Sequence, residues 1–245
     1  SSGWAARPSR RTSPERLSRS RGGSGTPSSS SSSPPPRCGA RWWWASRWLR
    51  WRGWSATRSS ELLPVVLLKE YAYCPRYAFF RLSLELPYVT ESMEAARRLP
   101  DPLAGLDPGG WEVRRGVRVA SRRLGLWGVA DALLVRGGLV KVVEAKALTP
   151  VSRRALRGRL RHVLAQAVAY GMCAEETLRL TLQSVVVVGS GRAVEERVTP
   201  ALRAYVEALA AGLRRAARGE DPGPKRGPRC WYCAYRELCW AAPRL

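Results

Sequence analysis

From residue 61 onward the chain moves between two hydrophobic periods. ELLPVVLLKEYAYCPRYAFFRLSL places apolar residues at helical spacing, interrupted at Pro64 and Pro75. SMEAARRL at 92–99 predicts a short amphipathic helix, and PDPLAGLDPGG at 100–110 reads as loop. WEVRRGVRVASRR then alternates every second residue, as a strand does. LGLWGVADALLVRGGLVKVVEAKAL predicts two strands joined at Gly137-Gly138 in a tight hairpin, and Thr149-Pro150 ends that unit. Residues 151–176 predict one long helix, LQSVVVVGSGRAVEERV a strand, turn and strand, and residues 200–218 a second long helix. EDPGPKRGP is a loop. The order of helix, three strands, helix, strand pair and helix predicts an α/β domain with a mixed sheet.

Residues 1–60 break with this pattern. They hold SSSSSS, PPP, scattered arginine and seven of the eleven tryptophans, a bias that argues for disorder. RWWWASRWLRWRGW suits stacking on DNA or contact with a membrane surface. No methionine precedes Met93, so the segment is read as a disordered tail or a mis-assigned upstream extension. No function is placed on it, and the folded domain is expected from residue 61 to the end.

Charge narrows the partner. The 245 residues carry a formal +23, of which residues 1–60 hold +11 from twelve arginines against Glu15. The remaining 185 residues are still basic, at +12. Such an excess points to a polyanion, most simply nucleic acid, with an acidic membrane surface as second candidate. No run of 18 apolar residues exists, so no membrane span is expected, and no signal-type apolar core opens the chain. The protein is read as intracellular and cytoplasmic. Five arginines, Arg153, Arg154, Arg157, Arg159 and Arg161, crowd the first half of helix 151–176. Arg153, Arg154, Arg157 and Arg161 are the candidates for tracking a DNA backbone.

The hairpin carries candidate chemistry. Asp131 lies in the first strand, and Glu144 and Lys146 share one face of the second because strand residues i and i+2 point together. Two carboxylates with a lysine suit phosphodiester hydrolysis: oxygen ligands hold Mg2+ or Mn2+, the metal polarises the phosphate, and the lysine steadies the attacking water or the developing charge. The pattern is short and recurs by chance. Val142, Val143 and Ala145 strengthen it, because they make the strand a buried one, where charges are costly unless paired or metal-bound. Gln166 and Tyr170, four apart on the following helix, share a face that could orient a phosphate or nucleophile. His162, one turn earlier, reads as a surface or phosphate-contacting residue.

The C-terminal stretch PRCWYCAYRELCW spaces Cys230, Cys233 and Cys239 as Cys-x2-Cys-x5-Cys. Six cysteines in an intracellular chain more often mean metal or chemistry than disulfides. Three thiolates call for a fourth ligand, and four would suit an iron–sulfur cluster or zinc. Cys38 in the tail and Cys173 in an apolar helix are read as non-ligands.

In order and spacing, YAYCPRYAFF, SRRLGLWGVAD, VVEAKA, QAVAYG and CWYCAYRELC resemble the RecB-like CRISPR-associated exonucleases of the adaptation module, within the PD-(D/E)xK nuclease superfamily. The resemblance runs from about 62 to 240. It implies a restriction-endonuclease-like core with a mixed central sheet flanked by helices, plus a C-terminal iron–sulfur segment. It implies Cys74, in YCPR, as the fourth ligand of a [4Fe-4S] cluster with Cys230, Cys233 and Cys239. It makes Asp131 and Glu144 metal ligands for Mg2+ or Mn2+, with the backbone carbonyl of Ala145 as a third. Lys146 becomes the catalytic lysine, and Gln166 and Tyr170 complete the site. The implied activity is metal-dependent exonucleolytic cleavage of single-stranded DNA ends during spacer acquisition, beside integrase subunits. One departure stands out: the family's metal-binding histidine is expected near the end of SMEAARRLP, where Leu99 and Pro100 stand, with Glu91 or Glu94 as substitute oxygen donors. The rival readings are a weakened, DNA-end-gripping subunit of an integrase complex, a RecB-like repair nuclease, and a basic α/β domain with structural zinc.

Overall fold

The structure is a computed structural model and describes residues 62–84, 108–146 and 149–241. The expectations for the tail 1–60, for helix 92–99 with Glu91, Glu94, Leu99 and Pro100, and for Cys38 lie outside these residues. The described strands are β1 (Leu63–Pro64), β2 (Glu112–Ser121), β3 (Leu126–Arg136), β4 (Leu139–Ala145), β5 (Thr181–Gly189) and β6 (Arg192–Arg197). The helices are α1 (Val65–Tyr73), α2 (Pro75–Leu84), α3 (Arg153–Arg157), α4 (Arg161–Leu178), α5 (Pro200–Ala217) and α6 (Arg236–Ala241), with a 3-10 turn at Pro228–Tyr232.

The six strands form one mixed sheet. β2 runs antiparallel along one edge of β3, from Glu112 opposite Val135 to Ser121 opposite Leu126. The other edge of β3 is divided. β1 pairs with it in parallel at Leu126 and Trp127, and β4 pairs antiparallel from Ala132 to Arg136. β5 then lies parallel to β4, and β6 antiparallel to β5. The β3–β4 turn is the tight hairpin that the sequence predicts. Gly137 and Gly138 take φ of 54° and 81°, the left-handed pair that such a turn demands.

α4 covers one face of the sheet. Every residue from Val163 to Ala174 is buried, between Leu126, Leu133, Val140 and Val142 on the sheet and Leu67, Leu68, Val206 and Leu213 on α1 and α5. The small side chains of QAVAYGMCA let the helix approach closely on all sides. The opposite face is a smaller cluster of Ala132, Leu134, Val143, Ala145, Val186 and Val188, with Trp111 packed against it.

One expectation is corrected here. The single helix 151–176 is two helices, with a turn at residues 158–160. Ser152 caps α3 by accepting the Ala155 N–H at 3.1 Å, and Gly158 ends it. The turn carries Leu160, which is buried beside Val151, Leu156, Val163 and Val187. The N-terminal helical stretch is interrupted at Pro64 and Pro75, as the sequence predicts. Leu63–Pro64 is a short parallel strand, Pro64 precedes α1, and Pro75 opens α2. A proline loses nothing in a first helical turn, where its missing N–H has no partner to lose.

Candidate active site

Asp131 stands where β3 parts from β4. The described pairing on that edge ends at Ala132 opposite Val143, and Asp131 is the next residue back. Core-facing positions in β3 are even-numbered up to Ala130 and odd-numbered from Leu133 onward. The switch falls between the pairs Arg115–Ala132 and Val117–Ala130, where Gly116 takes φ of 61°. Asp131, only 1% exposed, uses Oδ2 to accept the backbone N–H of Ala145 at 2.9 Å. A carboxylate thus replaces the strand partner that Ala145 lacks on β3, and it holds the end of β4 at a fixed distance.

Glu144 is fully buried, on the α4 side of β4 with Val140 and Val142, while Ala145 faces the opposite cluster. Lys146 reaches back to it, with Nζ 2.5 Å from Glu144 Oε1. The lysine is about a quarter exposed, so the pair opens to solvent from the lysine side. Buried carboxylate oxygens are hard donors of the kind that a divalent cation takes. Among the described residues, no three His, Cys, Asp or Glu side chains form a metal-holding group, so protein carboxylates here supply two ligands at most. Backbone and water oxygens complete such sites.

Gln166 and Tyr170 present to the sheet from α4, 1% and 2% exposed. Gln166 Oε1 is buried without a hydrogen-bond partner among the described residues. The ring of Tyr170 lies on Gly128: a Cβ added there would sit 2.7 Å from Tyr170 Cε1. Glycine at 128 therefore lets α4 dock onto β3 just ahead of Asp131. His162 is half-buried, contrary to the surface reading. Its ring meets Tyr73 edge-on at 5.2 Å. Burial holds its pKa down to about 4, helped by the positive charges of Lys69, Arg229 and Lys146. The histidine is neutral and belongs to the same helix face as Gln166 and Tyr170.

The candidate DNA-tracking arginines are divided by the helix break. Arg157 binds Glu196 at 2.5 Å, and Arg153 joins it at 3.3 Å. The Arg161 guanidinium stacks 4.1 Å above the Tyr205 ring. Arg154 is exposed and makes no ion pair among the described residues. Only part of the basic stretch is therefore available to a polyanion.

The four candidate cluster cysteines come together although Cys74 and Cys230 are 156 residues apart in sequence. Cys74, Cys230, Cys233 and Cys239 line one cavity, walled by Tyr77, Phe80 and Tyr235. Burial raises the Cys233 thiol pKa, and the other three sulfurs add to the rise. Arg76, 2% exposed, donates to the Cys239 carbonyl at 3.1 Å and contacts its Sγ at 3.8 Å. Its other arm binds Asp221 at 2.6 Å. Arg229 clamps the two cysteine segments: it donates to the Tyr73 carbonyl at 3.3 Å and to the Arg159 carbonyl at 3.0 Å, and stacks 4.4 Å from the Tyr73 ring. Neither arginine was singled out from sequence, although each adjoins a cysteine motif. All four thiols line this cavity, but among the described residues no three of them are arranged as a metal-holding group, so the geometry itself selects neither a [4Fe-4S] cluster nor zinc. Cys173 is fully buried in α4, with its pKa pushed up to about 12 by burial.

Comparison with known proteins gives the family of the chain. The sequence model of the PD-(D/E)XK nuclease superfamily matches residues 86–240. The chain is 38% identical over 194 residues to the CRISPR-associated exonuclease Cas4 of Aeropyrum pernix, covering 74% of this chain and 97% of that protein. Among solved structures it is similar to SSO0001, at 15% identity and a TM-score of 0.42, covering 82% of this chain and 95% of the other. An exonuclease structure from Eubacterium rectale matches at 14% identity and a TM-score of 0.36, covering 78% and 77%. The superfamily match and the 38% identity establish that the chain belongs to the PD-(D/E)XK nucleases, within the family of CRISPR-associated exonuclease Cas4.

Proposed function

We propose that this nuclease is a metal-dependent DNA exonuclease that trims single-stranded ends for CRISPR spacer acquisition in the cytoplasm, beside the integrase subunits. The observation that supports it most is the buried constellation of Asp131, Glu144 and Lys146, joined through the Ala145 backbone. PD-(D/E)XK nucleases use divalent metals. Here Asp131, Glu144 and the Ala145 carbonyl would hold Mg2+ or Mn2+. When bound, the ion supplies Lewis acidity to the phosphate and lowers the pKa of a coordinated water.

The chain's own groups do the rest. Asp131 fixes the β4 end, so the Glu144 carboxylate and Ala145 carbonyl keep a constant separation. Lys146 neutralises charge growing on the phosphate, and its tie to Glu144 holds the ammonium in place without a solvent shell to reorganise. Gln166 brings a buried amide toward the same face, and Tyr170 sets the spacing of α4 from β3.

Cys74, Cys230, Cys233 and Cys239 would hold a [4Fe-4S] cluster as a staple between the α1–α2 junction and the C-terminal segment. Iron and sulfide analysis of protein purified without oxygen tests this. Zinc in place of iron overturns it.

The testing experiment for the nuclease is cleavage of end-labelled single-stranded and duplex DNA with Mn2+ or Mg2+, comparing the intact protein with Lys146→Ala. Cleavage of single strands that disappears in the variant supports the reading. DNA bound but uncut by both proteins would favour the end-gripping subunit instead.

A further inference from the structure

The segment that carries three of the cysteines also exposes aromatic surface. Trp231 is 71% exposed, Tyr232 73% and Trp240 41%. Leaving such area in water forfeits the burial that normally stabilises an indole, and clustered exposed aromatics mark binding surfaces. The Trp231 and Trp240 rings meet edge-to-face at 6.1 Å, which fixes their relative orientation.

Two cations flank the Trp240 ring. Arg226 and Arg236 lie 5.7 and 5.5 Å from the Trp240 centroid. Lys225 and Arg226 are exposed and make no ion pair among the described residues. From Lys225 to Trp240 there are four cations and one acid, Glu237, which Arg236 neutralises at 2.8 Å. Flat apolar faces ringed by positive charge are complementary to unpaired nucleobases and their phosphates. A duplex hides its base faces, so a single strand is the complementary form.

The segment is anchored at the entry to α4, the helix that carries Gln166 and Tyr170. Arg229, two residues before Trp231, grips the Arg159 carbonyl at the entry to α4. Gln166 lies five residues beyond Arg161 on that helix, about 7.5 Å of rise.

We infer that Trp231, Tyr232 and Trp240, flanked by Lys225 and Arg226, form a stacking platform that holds unpaired bases of single-stranded DNA beside the nuclease site. The inference rests on the reading of the chain as a DNA nuclease and adds a base-binding subsite to it.

The test is binding of a fluorescent oligothymidylate without divalent metal, using the full chain prepared without oxygen. Trp231→Ala should weaken binding about 5- to 150-fold, the range expected for one lost base stack. Trp231→Phe should restore most of it, and duplex affinity should change less. Unchanged single-strand affinity in Trp231→Ala overturns the platform, as does an equal loss on duplex. Cross-linking of a bromodeoxyuridine oligonucleotide to the unmutated protein gives a second reading independent of variant folding. Adducts on Trp231, Tyr232 or Trp240 support the platform, and adducts confined outside residues 225–240 overturn it. Cleavage separates the two claims. Tryptophan-dependent binding without any cleavage keeps the platform and removes the nuclease reading. Cleavage with tryptophan-independent binding does the reverse.

Discussion

The carboxylate of Asp131 binds the backbone N–H of Ala145 at 2.9 Å, so one side chain serves both the sheet and the candidate metal site. Structure and chemistry can be separated at this position. Asp131→Asn keeps an acceptor of the same size but loses the charge. It should retain the fold and lose at least about a hundredfold in metal-dependent cleavage, on the scale of removing a charge-stabilising group. Asp131→Ala leaves the buried Ala145 N–H unsatisfied and should also lose about 1–3 kcal/mol of stability. Thermal unfolding beside cleavage assays would show the split. Equal activity in wild type and Asp131→Asn would remove Asp131 from the site.

Gly128 should be intolerant of even one methyl group. Its φ is not in the left-handed region, so alanine costs nothing in the backbone, and the obstacle is the Tyr170 ring 2.7 Å from the new Cβ. Gly128→Ala should destabilise by about 1–3 kcal/mol, typical of overpacking. Cleavage should fall with it, because α4 must lift away from β3 near Asp131. Tyr170→Leu in the same chain should recover part of the loss, measurable as coupling in a double-mutant cycle. Simple additivity would show that the two positions do not meet.

Much of this site was legible because strand and turn chemistry is local. Gly137-Gly138 marks a hairpin by itself, and Glu144 and Lys146 share a face through the period of two. Other features depend on tertiary competition. The α3–α4 break falls at Gly158, and its basic flank has the same composition whether the helix continues or not. The face switch in β3 is hidden, since Ala130, Asp131 and Ala132 give no apolar contrast on which alternation could be read. The neutral state of His162 arises from groups on three other segments: Lys69 and Tyr73 on α1, Lys146 after β4, and Arg229 before the cysteines. The convergence of Cys74 with the C-terminal cysteines was implied by family resemblance alone, and spacing within one segment could not have supplied it.

The basic stretch should respond unevenly to mutation. Arg154 is exposed without an ion pair among the described residues, while Arg157 and Arg153 share Glu196. If Arg154 neutralises one phosphate, Arg154→Ala should lower the salt slope of DNA binding by about one, uniformly across sequences. Arg157→Ala should leave that slope nearly unchanged and instead lower stability, because Glu196 is mostly buried and loses a partner. Binding isotherms over a salt series, beside thermal unfolding, test both. The opposite ranking would mean that DNA displaces the Glu196 pairs and recruits Arg157.

His162 gives the fold a specific acid sensitivity. Its native pKa of about 4 lies below the ordinary histidine value of 6.5, because burial and the charges of Lys69, Arg229 and Lys146 all disfavour the imidazolium. Between those two pH values the unfolded chain binds a proton at this position that the native chain does not. Stability from this residue is therefore complete above about pH 6.5, falls as pH is lowered, and is fully lost below about pH 4. The loss is on the order of 2–3 kcal/mol, discounted for the partial exposure of the ring. His162→Gln removes the titration and should flatten that part of the curve. The carboxylates contribute equally to both proteins and cancel in the difference. Urea unfolding of both proteins between pH 4 and 7 gives the measurement. A difference that does not change with pH would show that His162 is protonated equally in the folded and unfolded chains, and that the cationic surroundings of α1, Lys146 and Arg229 do not reach it.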